Sequence, residues 1–361
     1  MSLRVLTVLP PRELYAEGHA GAISLLVSRM ALCDDRIIGR AVSGVPLPGG
    51  KFVPLKRVIW PLPQRLKYAL SCVRAARHFQ PDLIEVHNRP DLAMALSRVA
   101  PVRLILHNDP RSMRGAKTAK ERSRLATKVL VCAVSQWVAT CFAEGCDEPP
   151  RIEIQPNCVD LSVLPAERPR QQQVLFAGRV VADKGVDAFV SVWAGLRHKY
   201  PDWTAVIMGA DRFGPDSPET PFLTRLRPQA AQADVLMTGY RSHPDVLEAM
   251  SEAAIVVVPS RWPEPFGMTA LEAMACGVAV IVSPFGALPD VVGDAALLAA
   301  PDASGALEAA LGQLMDNPAL RAELGRKGRE RAALFSLEAA RARLVALRQA
   351  AIAFSRGSAA P

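Results

Sequence analysis

Short, mainly apolar strand-like runs recur along the chain, and between them apolar positions return at helical spacing. A run that is apolar at every position suits a strand covered on both faces, the condition of a parallel sheet flanked by helices. Runs close to this pattern, some with an interrupting polar residue, lie at Leu3–Leu9, Asp82–Val86, Val102–His107 and Val129–Val134. They return at Val174–Ala177, Thr204–Met208, Val235–Thr238, Ile255–Pro259 and Ala279–Ser283. The spacing predicts helices over Pro63–Phe79, Lys184–Tyr200, Pro244–Ser251 and Gly267–Cys276, with Arg326–Leu334 and Leu337–Phe354 closing the chain around a break at Phe335-Ser336. Alternation of this kind predicts an α/β fold built on parallel sheets.

The alternation stops once. Leu161–Gln173 carries two prolines, three glutamines and no periodicity, and reads as a linker. A chain of 361 residues has room for two domains at roughly 150 residues each. The expected organisation is two doubly wound, Rossmann-like domains, 1–165 and 166–335, with a helix and tail in 336–361 and disorder from Gly357. Two such domains would face a cleft, with ligands beyond the carboxyl ends of the strands.

Charge changes this picture on one side only. Half the residues are hydrophobic and 22% are charged, a globular composition. The net charge is +8, but residues 1–165 carry +9 and the remainder −1. A basic first half suggests an anionic membrane, a phosphorylated acceptor or nucleic acid, or else plain solvation. No stacking-aromatic motif supports nucleic acid. The cations cluster at Lys51, Lys56, Arg57, Arg65, Lys67, Arg74 and Arg77, with Trp60 among them, and in Arg111–Lys128, which holds seven basic residues and one acid. The seven cysteines include no C-x-x-C pair and mostly lie in apolar runs, which gives no disulfide framework and fits a reducing compartment. No signal peptide and no apolar stretch of about 18 residues is found, so a cytoplasmic protein, soluble or peripheral on the inner face of the membrane, is expected.

Candidate chemistry lies at the ends of the strand runs. After Ile255–Pro259 comes RWPEPFGMTALEAMACGVAVI, Arg261 to Ile281. Glu264 is thereby forced onto a strand's carboxyl edge, and the amides of Phe266, Gly267 and Met268 open a helix whose N-terminus attracts anions. Glu272 follows on that helix. The segment VLFAGRVVADKGVDAFV, Val174 to Val190, sets Arg179 and Lys184 around another helix start. Two cations and a helix terminus suit a diphosphate, although two solvated basic residues would look the same. Gly239-Tyr240-Arg241 ends another strand, either as a turn or as a contact. In the first half, Glu17–Gly21 forms a strand–glycine loop–helix unit without G-x-G-x-x-G, which makes a dinucleotide fingerprint a poor reading. His107 and His87 close two strands, either as structural residues or as cleft contacts.

The Glu264–Glu272 pair, with seven residues between them, resembles the E-x7-E signature of family 4 retaining glycosyltransferases, whose fold is GT-B. The G-R-x4-K-G pattern at Gly178–Gly185 resembles the same family. The resemblance implies that Glu264 binds a donor-sugar hydroxyl, Glu272 the nucleotide ribose, and Arg179 and Lys184 the diphosphate. It implies that backbone at Phe266–Met268 touches sugar and phosphate, that Gly18 approaches the donor phosphate, and that Tyr240 and Arg241 meet the base. It further implies that His107 contacts the donor sugar, that 1–165 binds acceptor, and that the C-terminal helix crosses back to the first domain.

The implied reaction moves a hexose-type sugar from a UDP- or GDP-linked donor to a carbohydrate or lipid-linked acceptor, as in bacterial-type surface polysaccharide, lipopolysaccharide or glycolipid synthesis. No carboxylate nucleophile for double displacement stands out in the first half, so front-face transfer with retention is expected. No Asp-x-Asp element is found in a suitable loop, so no metal and no cofactor beyond the nucleotide-sugar substrate are expected. The alternatives are a UDP-sugar 2-epimerase of related fold and a non-catalytic nucleotide-sugar-binding scaffold.

Overall fold

The computed structural model describes residues 3–56, 61–211 and 219–357. The chain divides into two compact units, Met1–Cys158 with Leu337–Pro361, and Val159–Ser336. The first division thus falls ahead of 165, because Val159 already pairs with Phe335 and Ser336 of the second unit.

The first unit holds seven parallel strands: β1 (Val5–Val8), β2 (Arg36–Gly39), β3 (Lys51–Pro54), β4 (Leu83–His87), β5 (Val102–Leu106), β6 (Leu130–Ala133) and β7 (Ile152–Ile154). They lie in the order β3-β2-β1-β4-β5-β6-β7. Among the described residues the α-helices of this unit ahead of the chain's end are α1 (Ala22–Met30), α2 (Gln64–Phe79), α3 (Pro90–Leu96), α4 (Ala119–Ala126) and α5 (Gln136–Ala143). The second unit holds β8 (Gln171–Ala177), β9 (Thr204–Met208), β10 (Val235–Gly239), β11 (Ala253–Val258), β12 (Ala279–Val282) and β13 (Ala296–Leu298), ordered β10-β9-β8-β11-β12-β13. Its helices are α6 (Val186–Leu196), α7 (Pro221–Gln232), α8 (His243–Glu252), α9 (Met268–Ala275), α10 (Leu288–Val292), α11 (Ala306–Asp316) and α12 (Pro318–Ala333). The last helix, α13 (Leu337–Ser355), packs on the first unit. These are the two Rossmann-like sheets and the returning C-terminal helix of the GT-B architecture. No helix of the described residues is long and apolar enough to cross a membrane.

Central strands β4, β5, β6 and β11 are buried at every position; β6 and β11 are apolar throughout, while β4 and β5 bury Glu85 and Arg103 as an ion pair at 2.5 Å. Helix starts carry local signals. Thr118 and Ser242 each form a capping box, with Glu121 and Asp245 respectively. Several expectations shift. Gln171–Gln173 is not linker but the exposed start of β8, with Gln171 opposite Ala253. Helix α6 begins at Val186, because Ala182–Lys184 forms a 3-10 turn and Gly185 is left-handed at φ +67°. Within Arg111–Lys128, Arg122 is no solvated cation. It is buried and donates to the carbonyls of Ala116, Lys117, Phe142 and Glu144. Arg57, Trp60 and the tail beyond Gly357 lie outside the described residues.

α13 is anchored by charge. Arg348 donates to Asp35 at 2.6 and 3.1 Å and to Glu85 at 3.0 Å, and Arg103 donates to Glu85 at 2.5 Å and to Gln155 at 2.6 Å. Burial works against ionisation of Glu85, but Arg103 and Arg348 outweigh it and hold its carboxyl well below the usual range. All seven cysteines are free thiols.

Candidate functional site

In each sheet the strand order reverses at one place, between β1 and β4 and between β8 and β11. The loops leaving two such strands diverge, and a ligand can enter between them. In the second unit those loops are Gly178–Gly185 and Pro259–Gly267.

Close backbone approach fixes both loops. A Cβ on Gly185 would sit 1.8 Å from the Pro259 carbonyl oxygen, so only glycine lets the turn pack against the end of β11. The amides of Arg261 and Trp262 donate to the Asp183 carbonyl at 2.9 and 3.1 Å. The Arg261 side chain clamps the same contact, donating to the Ala182 carbonyl at 3.0 Å, to Asp187 at 2.6 Å and to Asp302 at 2.8 Å. Neighbouring strand tips pack as tightly. The Gly178 amide donates to Met208 and the Gly209 amide to Gly239, and a Cβ on Gly209 would lie 1.8 Å from the Gly178 carbonyl oxygen.

This frame brings Lys184 to Glu264. The Glu264 side chain is buried, and its Oε1 accepts from Lys184 Nζ and from Ser260 Oγ, the latter at 2.6 Å. The Glu264 backbone is pinned as well, since Ala287 donates to its carbonyl at 2.8 Å and a Cβ on Gly286 would strike it. Gly267 caps α9 in the left-handed region at φ +97°, with no side chain on the helix's first amides. Phe266 is buried edge-on against Phe335, and Met268 starts the helix. A cation, a buried carboxylate and an uncapped helix N-terminus therefore converge at one strand edge, where an anion with hydroxyl neighbours can be held.

Glu272, on the second turn of α9, meets His243 Nε2 at 2.8 Å. Arg179 is exposed at the tip of β8, and Tyr240 and Arg241 are exposed after the left-handed Gly239. The pattern of Glu264, Glu272 and Lys184 is legible in sequence, whereas Ser260, Arg261 and His243 are not. Ser260 and Arg261 stand beside Glu264 without distinguishing spacing, and His243 reaches Glu272 only through space.

The first unit places its candidates differently. Gly18 is left-handed at φ +72° with no atom within 4 Å of a would-be Cβ, so the backbone conformation requires it and packing does not. The start of α1 is occupied from within, because Glu13 accepts from the Ser24 amide at 3.0 Å. His107 and His87 stack with ring centroids 5.1 Å apart and a 2.8 Å contact between Nε2 and Nδ1. Burial pushes His87 down to about 4, and burial, then His87, pushes His107 well below its usual value. Both rings are neutral at neutral pH. Among the described residues no three His, Cys, Asp or Glu side chains cluster to hold a metal ion.

Residues 165–331, nearly all of the second unit, match the family model described as glycosyl transferases group 1. The chain is 27% identical over 280 residues to glycogen synthase of Mycobacterium tuberculosis, covering 71% of this chain and 65% of that one. It is 34% identical over 155 residues to the lipopolysaccharide core biosynthesis mannosyltransferase LpsB of Rhizobium meliloti, covering 40% and 42%. The matches thus span less than two thirds of these curated relatives' lengths. Among solved structures, Anabaena HepE in complex with UDP superposes with a TM-score of 0.78 at 18% identity, covering 96% of this chain and all of that one. Sucrose-phosphate synthase from Thermosynechococcus elongatus gives 0.75 at 19% identity, covering 97% and 99%. These likenesses show the fold.

Proposed function

We propose that the chain is a retaining glycosyltransferase that moves a hexose-type sugar from a UDP- or GDP-linked donor to a carbohydrate or lipid-linked acceptor. The observation that carries this reading is the buried Glu264 carboxylate tied to Lys184 at the switch point of the second sheet. Lys184 has three N–H donors, so one can hold Glu264 while the others meet the donor diphosphate. Glu264 keeps acceptor capacity for a sugar hydroxyl. Arg179 and the amides of Phe266–Met268 complete the anion site. Glu272 takes the ribose hydroxyls, and Tyr240 and Arg241 flank the base. In the first unit, Gly18 lies against the donor phosphate, His107 contacts the donor sugar, and the acceptor binds. The HepE complex with UDP-glucose and the match to group 1 transferases support a nucleotide-sugar donor. LpsB supports a place in lipopolysaccharide or related surface-polysaccharide synthesis.

In the reaction the bond from the anomeric carbon to the diphosphate oxygen breaks and the acceptor oxygen bonds on the same face. The acceptor proton passes to the departing diphosphate. Negative charge grows on that leaving group, and Lys184, Arg179 and the α9 terminus stabilise it there. No divalent metal takes part, so excess chelator should leave turnover intact. The protein acts in the cytoplasm, peripherally on the inner face of the membrane.

Thermal-shift screening against nucleotide sugars, followed by transfer assays with the stabilising donor, tests this. Glu264→Ala should lower kcat/KM at least 100-fold, about 3 kcal/mol of transition-state stabilisation, with the fold retained. Glu272→Ala should weaken nucleotide binding at least tenfold, about 1.4 kcal/mol. Full nucleotide affinity in Glu272→Ala would refute the ribose role. Turnover of UDP-N-acetylglucosamine with no acceptor present would mark an epimerase instead.

A further inference from the structure

The first unit has an open cavity of about 890 Å³ whose charged lining residues are all basic. Its cations come from adjacent strand ends. Arg12 follows β1, Arg40 follows β2, Lys56 follows β3 and Arg89 follows β4, and these four strands are neighbours in the order β3-β2-β1-β4. Arg65 and Lys67 project from the first turn of α2, whose start carries no side-chain cap. The cavity therefore lies along the carboxyl edge of the sheet, where doubly wound sheets bind ligands.

Among the described residues only one of these cations has a carboxylate partner. Arg89 makes a forked pair with Asp91 at 2.8 and 2.9 Å, while the other five form no ion pair with a described carboxylate. The hydroxyls lining the cavity serve its shape. Tyr68 donates to the Leu9 carbonyl at 2.6 Å and Ser71 to the Lys56 carbonyl at 2.9 Å, which ties α2 to the loops after β1 and β3. Like charges held together around a hollow repel one another, and a bound anion of several charges relieves that repulsion. One carboxylate cannot balance five cations. A group with several oxygens and more than one negative charge can, and arginine forks together with lysine point charges match phosphate oxygens. The volume exceeds that of a bare phosphate and falls within the range of small-molecule sites.

We propose that this cavity binds a phosphomonoester or diphosphate carried on a larger group, and that this group is the acceptor. The second clause rests on the transfer reading above, and the first does not. The phosphate can belong to a soluble sugar phosphate or to an isoprenoid diphosphate presented at a membrane.

The full chain is first saturated with UDP or GDP, to occupy the second unit, and then titrated calorimetrically with pyrophosphate and with glucose 6-phosphate. Arg40→Glu/Lys67→Glu should weaken both at least tenfold and leave nucleotide affinity unchanged, with Arg40→Ala/Lys67→Ala intermediate. Cosedimentation with phosphatidylcholine vesicles doped with farnesyl diphosphate, lost in the double variant, would assign a lipid source. Glucose 6-phosphate binding without vesicle recruitment would assign a soluble one. Equal binding by wild type and variants, or no binding to any of the three probes, overturns the proposal. A chain that binds pyrophosphate in this variant-sensitive way but no nucleotide would sink the transfer reading and keep the pocket.

Discussion

Single residues at the switch point owe their roles to contacts that local spacing does not encode. The Glu264–Glu272 spacing is visible because both residues sit on one strand–loop–helix unit. What holds each carboxylate is not visible. Lys184 lies 80 positions from Glu264, and His243 lies 29 positions from Glu272. His243 opens α8, where Ser242 and Asp245 already satisfy the helix start, so its ring is free to reach across to α9. A hydrogen bond of this kind fixes a carboxylate rotamer and contributes about 1 kcal/mol. Under the ribose assignment, His243→Ala should therefore weaken UDP binding about fivefold by calorimetry. Tighter binding in the variant would mean that the imidazole competes with ribose for Glu272 and does not orient it.

At the scale of elements, buried strands were legible and edge strands were not. Central strands such as β6 and β11 are apolar throughout because both faces are covered. β3 lies at a sheet edge with three of its four residues exposed, so Lys51–Pro54 shows no apolar run. β13 has three residues, too few to establish a period. The polar start of β8 was hidden for the same reason, since Gln171 and Gln172 are exposed. α13 shows what pattern alone misses. Its apolar residues announce a helix, but its partner is chosen by Arg348, inserted between Asp35 of the first unit and Glu85 on β4. Removing one member of a buried charge cluster leaves the others uncompensated, at a cost of about 3–5 kcal/mol. Arg348→Ala should lower the urea midpoint of the first unit accordingly. A surface control on the same helix, the exposed Gln349→Ala, should change it by less than about 0.5 kcal/mol. Equal midpoints for both variants would show that α13 is held by its apolar contacts alone.

For the whole molecule, the one-sided charge becomes meaningful once paired and unpaired cations are separated. Arg103, Arg122 and Arg348 are consumed inside the first unit and project little field outward. Arg65, Arg74 and Arg77 remain exposed on α2, where Leu66 and Leu70 are also 43% and 40% exposed. Leu66, Leu70 and Arg77 recur at helical spacing and so share one stripe, apolar and basic together. Such a stripe suits the interface of an anionic bilayer, where each nearby cation adds about 1 kcal/mol and the leucines enter the headgroup boundary. Anionic vesicles should carry the protein upward in flotation at low salt, and neutral vesicles should not. Salt of about 0.5 M, which shortens the screening length to a few ångströms, should release most of it. Leu66→Ser/Leu70→Ser should reduce recruitment several-fold with nucleotide affinity unchanged, because neither leucine is among the residues assigned to the nucleotide. Absence from both vesicle fractions at low salt would reduce the basic half to its open cavity, leaving the +9 of the first 165 residues without a membrane to explain it.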